Sequence, residues 1–191
     1  MIPAPRPATP LVPRVDPDAA AVRAAQRDRR AFEVLYRRYV DRVYAHAFYA
    51  LGDHHDAEDA TERTFLDAMK GIGAYRDTGA GFRAWLFRVA HNTVSNTMRS
   101  RRRRRTEPIP EGWDRPAPNA DPATLVARAE EGRRVLRAVR DLPLDRRQVV
   151  LLRFVDGLSA AEIGVVLDRS PGAVRVLLHR ALRDLAVRLE G

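Results

Sequence analysis

The chain of 191 residues contains no cysteine. Disulfides, thiolate metal sites and a cysteine nucleophile are therefore excluded. Lysine is nearly absent as well: among 34 basic residues, Lys70 is the single lysine. Arginine offers a planar fork that suits phosphate and guanine, although a GC-rich genome produces the same bias. No apolar run reaches the length of a membrane span. The start, MIPAPRPATPLVPRVDP, lacks the apolar block of a signal peptide. A soluble, cytoplasmic protein without membrane insertion is expected. Catalytic signatures are missing too, with no Gly-rich phosphate loop, H-E-x-x-H or G-x-S-x-G. His46, His54, His55, Asp56 and Glu58 come nearest to a metal cluster. His54 and His55 are adjacent, however, so on a helix they point about 100° apart. No metal, no cofactor and no catalytic residue is expected.

What is present is positive charge and helical patterning. The formal net charge is +9, and 45% of residues are apolar. A core is affordable, and a polyanion is the natural partner. Residues 1–15 are proline-rich with few apolar anchors and read as a disordered arm. Helical patterning begins near Pro17. Asp28 can cap a helix in which Phe32, Leu35, Tyr36, Tyr39 and Val43 recur at core spacing. Gly52 fits its stop, and Asp53 fits the next N-cap. On that next helix Thr61, Phe65, Ala68, Met69 and Ile72 share a buried arc, and Asp56, Asp59, Arg63, Asp67 and Lys70 an exposed one. A mainly acidic face either docks a basic surface or compensates the helix dipole.

Four glycines then bracket Tyr75, Arg76 and Asp77 in a loop. The loop leads into FRAWLFRVAHNTVSNTMRSRRRRR, Phe82 to Arg105. At 3.6 residues per turn Phe82, Leu86, Val89, Ala90, Thr93 and Thr97 fall on one arc. Arg88, His91, Asn92, Ser95 and Arg99 fall opposite, with Trp85 and Asn96 on the flank. Arginine neutralises phosphate, amides read base edges, and an indole stacks on an unpaired base. A solvated basic helix end has the same pattern.

Five prolines between 108 and 122 exclude a helix there and mark a linker over 103–125. Extended, its roughly 23 residues reach about 70 Å at ~3.1 Å each. Leu125, Ala129, Leu136 and Val139 pattern a helix that ends before Pro143. Asp145 with Gln148, and Ser159 with Glu162, have capping-box spacing. Ala160 to Leu167, a turn, and a longer helix opened by Ser170 and Pro171 form a helix-turn-helix pattern. The second helix has Val174, Leu178, Ala181 and Leu185 as its core stripe. Its outward arc holds Gly172, Arg175, Val176, His179, Arg180 and Arg183. That arc suits the major groove, and an ordinary three-helix unit has the same pattern. The fold class is all-α: two small helical domains joined by a flexible linker.

Three stretches, Asp56 to Met69, Phe82 to Arg104 and Leu142 to Leu185, resemble the extracytoplasmic-function group of bacterial sigma factors in the sigma-70 family. The resemblance implies region 2 over 16–102 and region 4 over 126–188. It implies an alternative sigma factor that binds core RNA polymerase, through its β′ and β subunits, and opens promoter DNA. Asp56, Glu58, Asp59, Glu62, Arg63 and Phe65 would form the core-binding helix, although Glu62-Arg63 stands where the family commonly has Gln-Glu. Tyr75, Arg83, Trp85, Arg88, His91, Asn92, Asn96 and Arg99 would recognise the minus-ten element. Ser170, Gly172, Arg175, Val176, His179 and Arg180 would read the minus-thirty-five element. An anti-sigma protein is a further expected partner. The linker is expected to hold the two units apart. The competing expectation is a helix-turn-helix repressor or activator that works without polymerase.

Overall fold

The computed structural model describes residues 16–104, 132 and 134–190. The proline-rich arm, most of the linker, and Leu125 and Ala129 lie outside the described residues. Among the described residues the chain is helical and contains no strand. The first unit holds α1 (Ala19–Arg27), α2 (Phe32–Leu51), α3 (His54–Gly71) and α4 (Gly81–Arg104). Short 3-10 turns lead into α2 and follow α3. The second unit holds α5 (134–140), α6 (Leu144–Phe154), α7 (Ala160–Leu167) and α8 (Pro171–Glu190). Residues 103 and 104, expected to open the linker, still belong to α4.

Local sequence explains most of the boundaries. Gly52 ends α2 in the left-handed region at φ 71°, and its amide bonds Phe48. Asp53 then caps α3 by accepting from the Asp56 amide at 2.9 Å. The Ser159–Glu162 capping box forms as expected. The Asp145–Gln148 box does not. Pro143 occupies the N-cap of α6 and Asp145 accepts from the neighbouring Arg146 amide instead. The helix starts at Leu144, so Asp145 is its second residue, two positions past the cap. Pro17 likewise lies before the first helix, which begins at Ala19. The turn between α7 and α8 is tight: a Cβ on Gly164 would stand 2.5 Å from the Arg169 carbonyl oxygen. Only glycine permits that approach.

The core of the first unit lies where α2, α3 and α4 meet. Leu35, Val43, Ala57, Ala68, Phe82, Leu86 and Phe87 are all buried there. Each large apolar side chain fully removed from water contributes about 1.5–3 kcal/mol. In the second unit Val149, Leu152, Leu158, Ile163, Val174 and Ala181 are buried.

The expectation of two separated units is not met. Helices α2 and α4 pack against α6 and α7. His46 Nδ1 lies 2.7 Å from Asp156 Oδ2, both buried. Arg42 donates to the Asp156 carbonyl at 2.9 Å, and Gln148 to the Ser95 hydroxyl at 3.0 Å. The Arg83 guanidinium donates twice to Glu162, at 2.6 and 3.1 Å. Charge-assisted bonds of this kind are roughly twice as strong as neutral ones. Docking therefore has a specific polar seam, made by partners 53 to 114 residues apart in sequence.

Candidate nucleic-acid interface

Helix α3 carries the acidic face. Glu58, Asp59, Glu62 and Arg63 are exposed along it. Asp56 is half-buried and ion-paired with Arg101 of α4. Phe65 is buried, edge-on to Phe32 and Tyr36. These two of the six expected contact residues thus support the helix. The exposed four form the accessible face. His54 is occupied locally: its Nδ1 lies 2.5 Å from the Tyr44 hydroxyl and its ring packs on Phe48. Among the described residues no group of three or more histidine and carboxylate side chains is placed to hold a metal.

Helix α4 lies beside α3, and a groove of about 1170 Å³ runs between them. Asp59, Arg63, Asn92, Asn96 and Arg99 line it. Arg88, Asn92, Asn96 and Arg99 are exposed, and Asn96 accepts from Arg99 at 2.7 Å. A strip of cations and amides suited to a strand is therefore open. Other members of the expected set are not. Tyr75 is buried, with its ring 5.2 Å from Trp85 and 5.8 Å from Phe82. Burial pushes its phenol up, and Asp77, Asp16 and Asp18 push in the same direction. Trp85 is half-buried against those rings and against Gly71. Arg83 is committed to Glu162. His91 is half-buried, its Nδ1 has no partner, and burial lowers its pKa to about 4, with His46 and Arg99 adding to the shift. At neutral pH it is uncharged and adds nothing to phosphate neutralisation.

The reason lies in the position of α4. Helices α1, α2, α3 and α7 all contact it, so more than one face is covered. Its N-terminus is held by a residue sequence reasoning missed. Asp16 accepts from the Phe82 amide at 2.7 Å, across 66 residues. No periodic signal could have linked the two. Near the other end Arg101 donates to the Leu51 carbonyl at 3.0 Å and pairs with Asp56. The first arginine of the run is therefore a strut to the α2–α3 corner.

In the second unit the outward arc of α8 is exposed. Ser170 caps α8 by accepting from the Ala173 amide at 3.2 Å. Gly172, Arg175, Val176, His179 and Arg180 are all exposed on one side of α8. Val174, Ala181 and Leu185 are buried on the other, with Leu177 added to the stripe and Leu178 half-buried. Asp168 sits in the left-handed region at φ 54° and makes the turn that orients this helix.

Comparison with known proteins places both units. The Sigma-70 region 2 model matches residues 35–104, and the Sigma-70, region 4 model matches 132–185. The chain is similar to the ECF RNA polymerase sigma factor BldN of Streptomyces coelicolor, 36% identical over 179 residues, which is 91% of this chain and 68% of that protein. It is also similar to SigE of Mycolicibacterium smegmatis, another ECF RNA polymerase sigma factor, 34% identical over 177 residues, again 91% and 68%. Among solved structures, CnrH in complex with the cytosolic domain of CnrY superposes with a TM-score of 0.68 at 27% identity, over 92% of this chain and 98% of that one.

Proposed function

The chain belongs to the extracytoplasmic-function sigma factors of RNA polymerase, and from that premise we propose which of its surfaces carry each step. It is an alternative sigma factor. It binds bacterial core polymerase, directs it to specific promoters and supports their opening. Sigma factors are not an enzyme family. Among the described residues no helix is long and apolar enough to cross a membrane.

Core polymerase docks on the exposed face of α3 through Glu58, Asp59, Glu62 and Arg63, held in place by Asp56 and Phe65. The minus-ten element lies along Arg88, Asn92, Asn96 and Arg99 of α4, with the edge of Trp85 beside it. Tyr75 and His91 shape that surface from beneath. Unstacking one base costs a few kcal/mol, and contacts to the extruded base return a similar amount. Strand opening therefore follows from preferential binding of the separated strand, with no nucleotide hydrolysis. The minus-thirty-five duplex meets Ser170, Gly172, Arg175, Val176, His179 and Arg180 at the start of α8. Arg83 cannot hold Glu162 and DNA at once, so DNA binding by that residue requires α7 to leave α4. An anti-sigma protein is a further partner on this reading; CnrH, which the chain resembles, was solved with a partner domain.

The observation that carries the reading is the pair of exposed cationic strips on separate helices, one beside the acidic face of α3. A repressor acting without polymerase is not favoured, because it leaves the Sigma-70 region 2 match over 35–104 without a role. Run-off transcription with purified core polymerase tests the proposal. Added protein should direct initiation at a defined subset of a promoter library. Failure to bind core, or to direct any start, overturns it.

A further inference from the structure

Helix α1 has nine residues, with Val22 and Ala25 buried. An isolated helix of that length is marginal in water. It is nevertheless fixed at three points. Asp18, buried, accepts from the Tyr39 hydroxyl and from Arg38 of α2. Gln26 spends both hydrogens of its amide on one short stretch, donating to the Ile72 carbonyl at 3.0 Å and the Tyr75 carbonyl at 2.9 Å. Asp16, just ahead of the helix, accepts from the Phe82 amide at 2.7 Å with one oxygen and from the Asp18 amide at 3.0 Å with the other. Tyr75 and Phe82 flank the two ends of the loop Arg76 to Gly81.

Between those ends the loop is open to solvent. Arg76, Asp77, Thr78 and Gly79 are exposed. Asp77 accepts from the Gly79 and Gly81 amides at 2.8 and 3.0 Å, which curls the backbone. Gly81, at φ 80°, lets the chain pass the Asp16 carboxyl, where a Cβ would stand 3.2 Å from its Cγ. Beneath the loop the Tyr75 and Phe82 rings meet edge-on at 5.8 Å, and Trp85 lies 5.2 and 5.5 Å from them. Helix α1 therefore ties the entry and the exit of the loop to one short rod. The ties join residues 46 to 66 positions apart in sequence.

We propose that Asp16 and Gln26 are positioning residues for strand opening: α1 is a splint that presets the gap between Tyr75 and Phe82, so that the loop receives an unpaired base without first being ordered. The inference rests on the promoter-opening role proposed above. A free loop loses conformational entropy when it closes on a ligand, and a loop already held at both ends loses less. Neither residue belongs to the exposed strip of Arg88, Asn92, Asn96 and Arg99, so a change at either leaves that strip in place. Their effect is confined to the base that enters the loop.

The test uses holoenzyme, assembled from the full chain and core polymerase, on a forked promoter whose minus-ten non-template strand is unpaired. A scan of abasic sites first finds the base whose removal weakens parental binding most. Asp16→Ala deletes the acceptor of the Phe82 amide, and Gln26→Glu keeps the shape of the side chain but removes both donors. Each should weaken binding of the intact fork about five- to tenfold and leave the affinity for core unchanged. On the abasic fork the loss should shrink to less than about twofold, because the loop has no base to receive. The double variant should lose little more than either single one, since releasing one end already frees the loop. Unchanged binding of the intact fork in both single variants would overturn the proposal. Equal losses on the intact and abasic forks, or a parallel loss of core affinity, would also overturn it and make α1 a purely structural prop. Failure of the parental holoenzyme to bind any fork would overturn the promoter-opening role, and this inference with it.

Discussion

Helices α4 and α8 both have an amphipathic period with arginine on the outer arc, yet they differ in how much of that arc is free. On α8 every residue expected to face DNA is exposed. On α4, Tyr75 just before it, Arg83, Trp85 and His91 are buried, half-buried or engaged. A helix at the end of a unit packs on one side, so its sequence period maps directly onto burial. A helix in the middle of a unit packs on several sides, and the period then overstates its free surface. The polar residues on α4 serve two purposes, packing near its start and recognition along Arg88, Asn92, Asn96 and Arg99.

The largest expected effect lies in the central helix. Phe87 of α4 is fully buried and meets His46 edge-on. Phe87→Ala should cost about 3–5 kcal/mol of stability, read from the urea midpoint. A loss under about 1 kcal/mol would mean that α4 is less central than its contacts indicate.

Next comes Arg175 on α8. Arg175→Ala in the holoenzyme should reduce discrimination at one minus-thirty-five position by roughly 1–3 kcal/mol, measured by competition among single-base variants. Equal loss on all sequences would make it a phosphate contact and remove the contrast between a reading helix and a strand-holding one.

The seam between the units yields a pH dependence. Burial alone would raise the carboxyl of Glu162. Bonds from the Ser159 hydroxyl and amide and from Arg83 outweigh it and hold the group below its ordinary range. A depressed carboxyl stabilises the fold above the unfolded pKa, about 4.3, and loses that contribution as pH falls through the folded value. Acid unfolding of Glu162→Gln should therefore depend less on pH below about 4.3 than that of the parent. His91 acts in the same direction at higher pH. Its folded pKa of about 4 lies below the unfolded value, so stability falls as pH drops from about 6.5 toward 4. An NMR titration of His91 with a midpoint near 6.5 would contradict its burial.

The smallest effect is expected on the exposed arc of α8. Val176 is 53% exposed. Val176→Ala should change stability by no more than about 0.5 kcal/mol while leaving any thymine-methyl contact open to a base-substitution assay. A larger loss would mean that α8 is packed on both sides, as α4 is.

Much of this architecture was legible because its causes are local. Gly52 and Asp53 set the α2–α3 turn, Ser159 and Glu162 start α7, and Ser170 starts α8 through bonds that span a few residues. The exposed arc of α8 and the acidic face of α3 follow from period alone. What was not legible has non-local causes. Asp16 holds the start of α4, Arg83 holds Glu162, and His46 holds Asp156. No spacing rule joins residues so far apart, and Glu162 already had a sufficient local explanation as the partner of Ser159. The proline-rich segment suggested separation, because composition describes a tether's reach and not whether the units it joins attract each other.

The division of labour between the two helices can be tested directly in a promoter complex. A photoreactive side chain placed at Arg88 should crosslink to the minus-ten region of the non-template strand once the duplex opens. The same group at Arg175 should crosslink to the minus-thirty-five duplex before and after opening. Crosslinks from both positions to one element, or from Arg88 to closed duplex alone, would contradict the account.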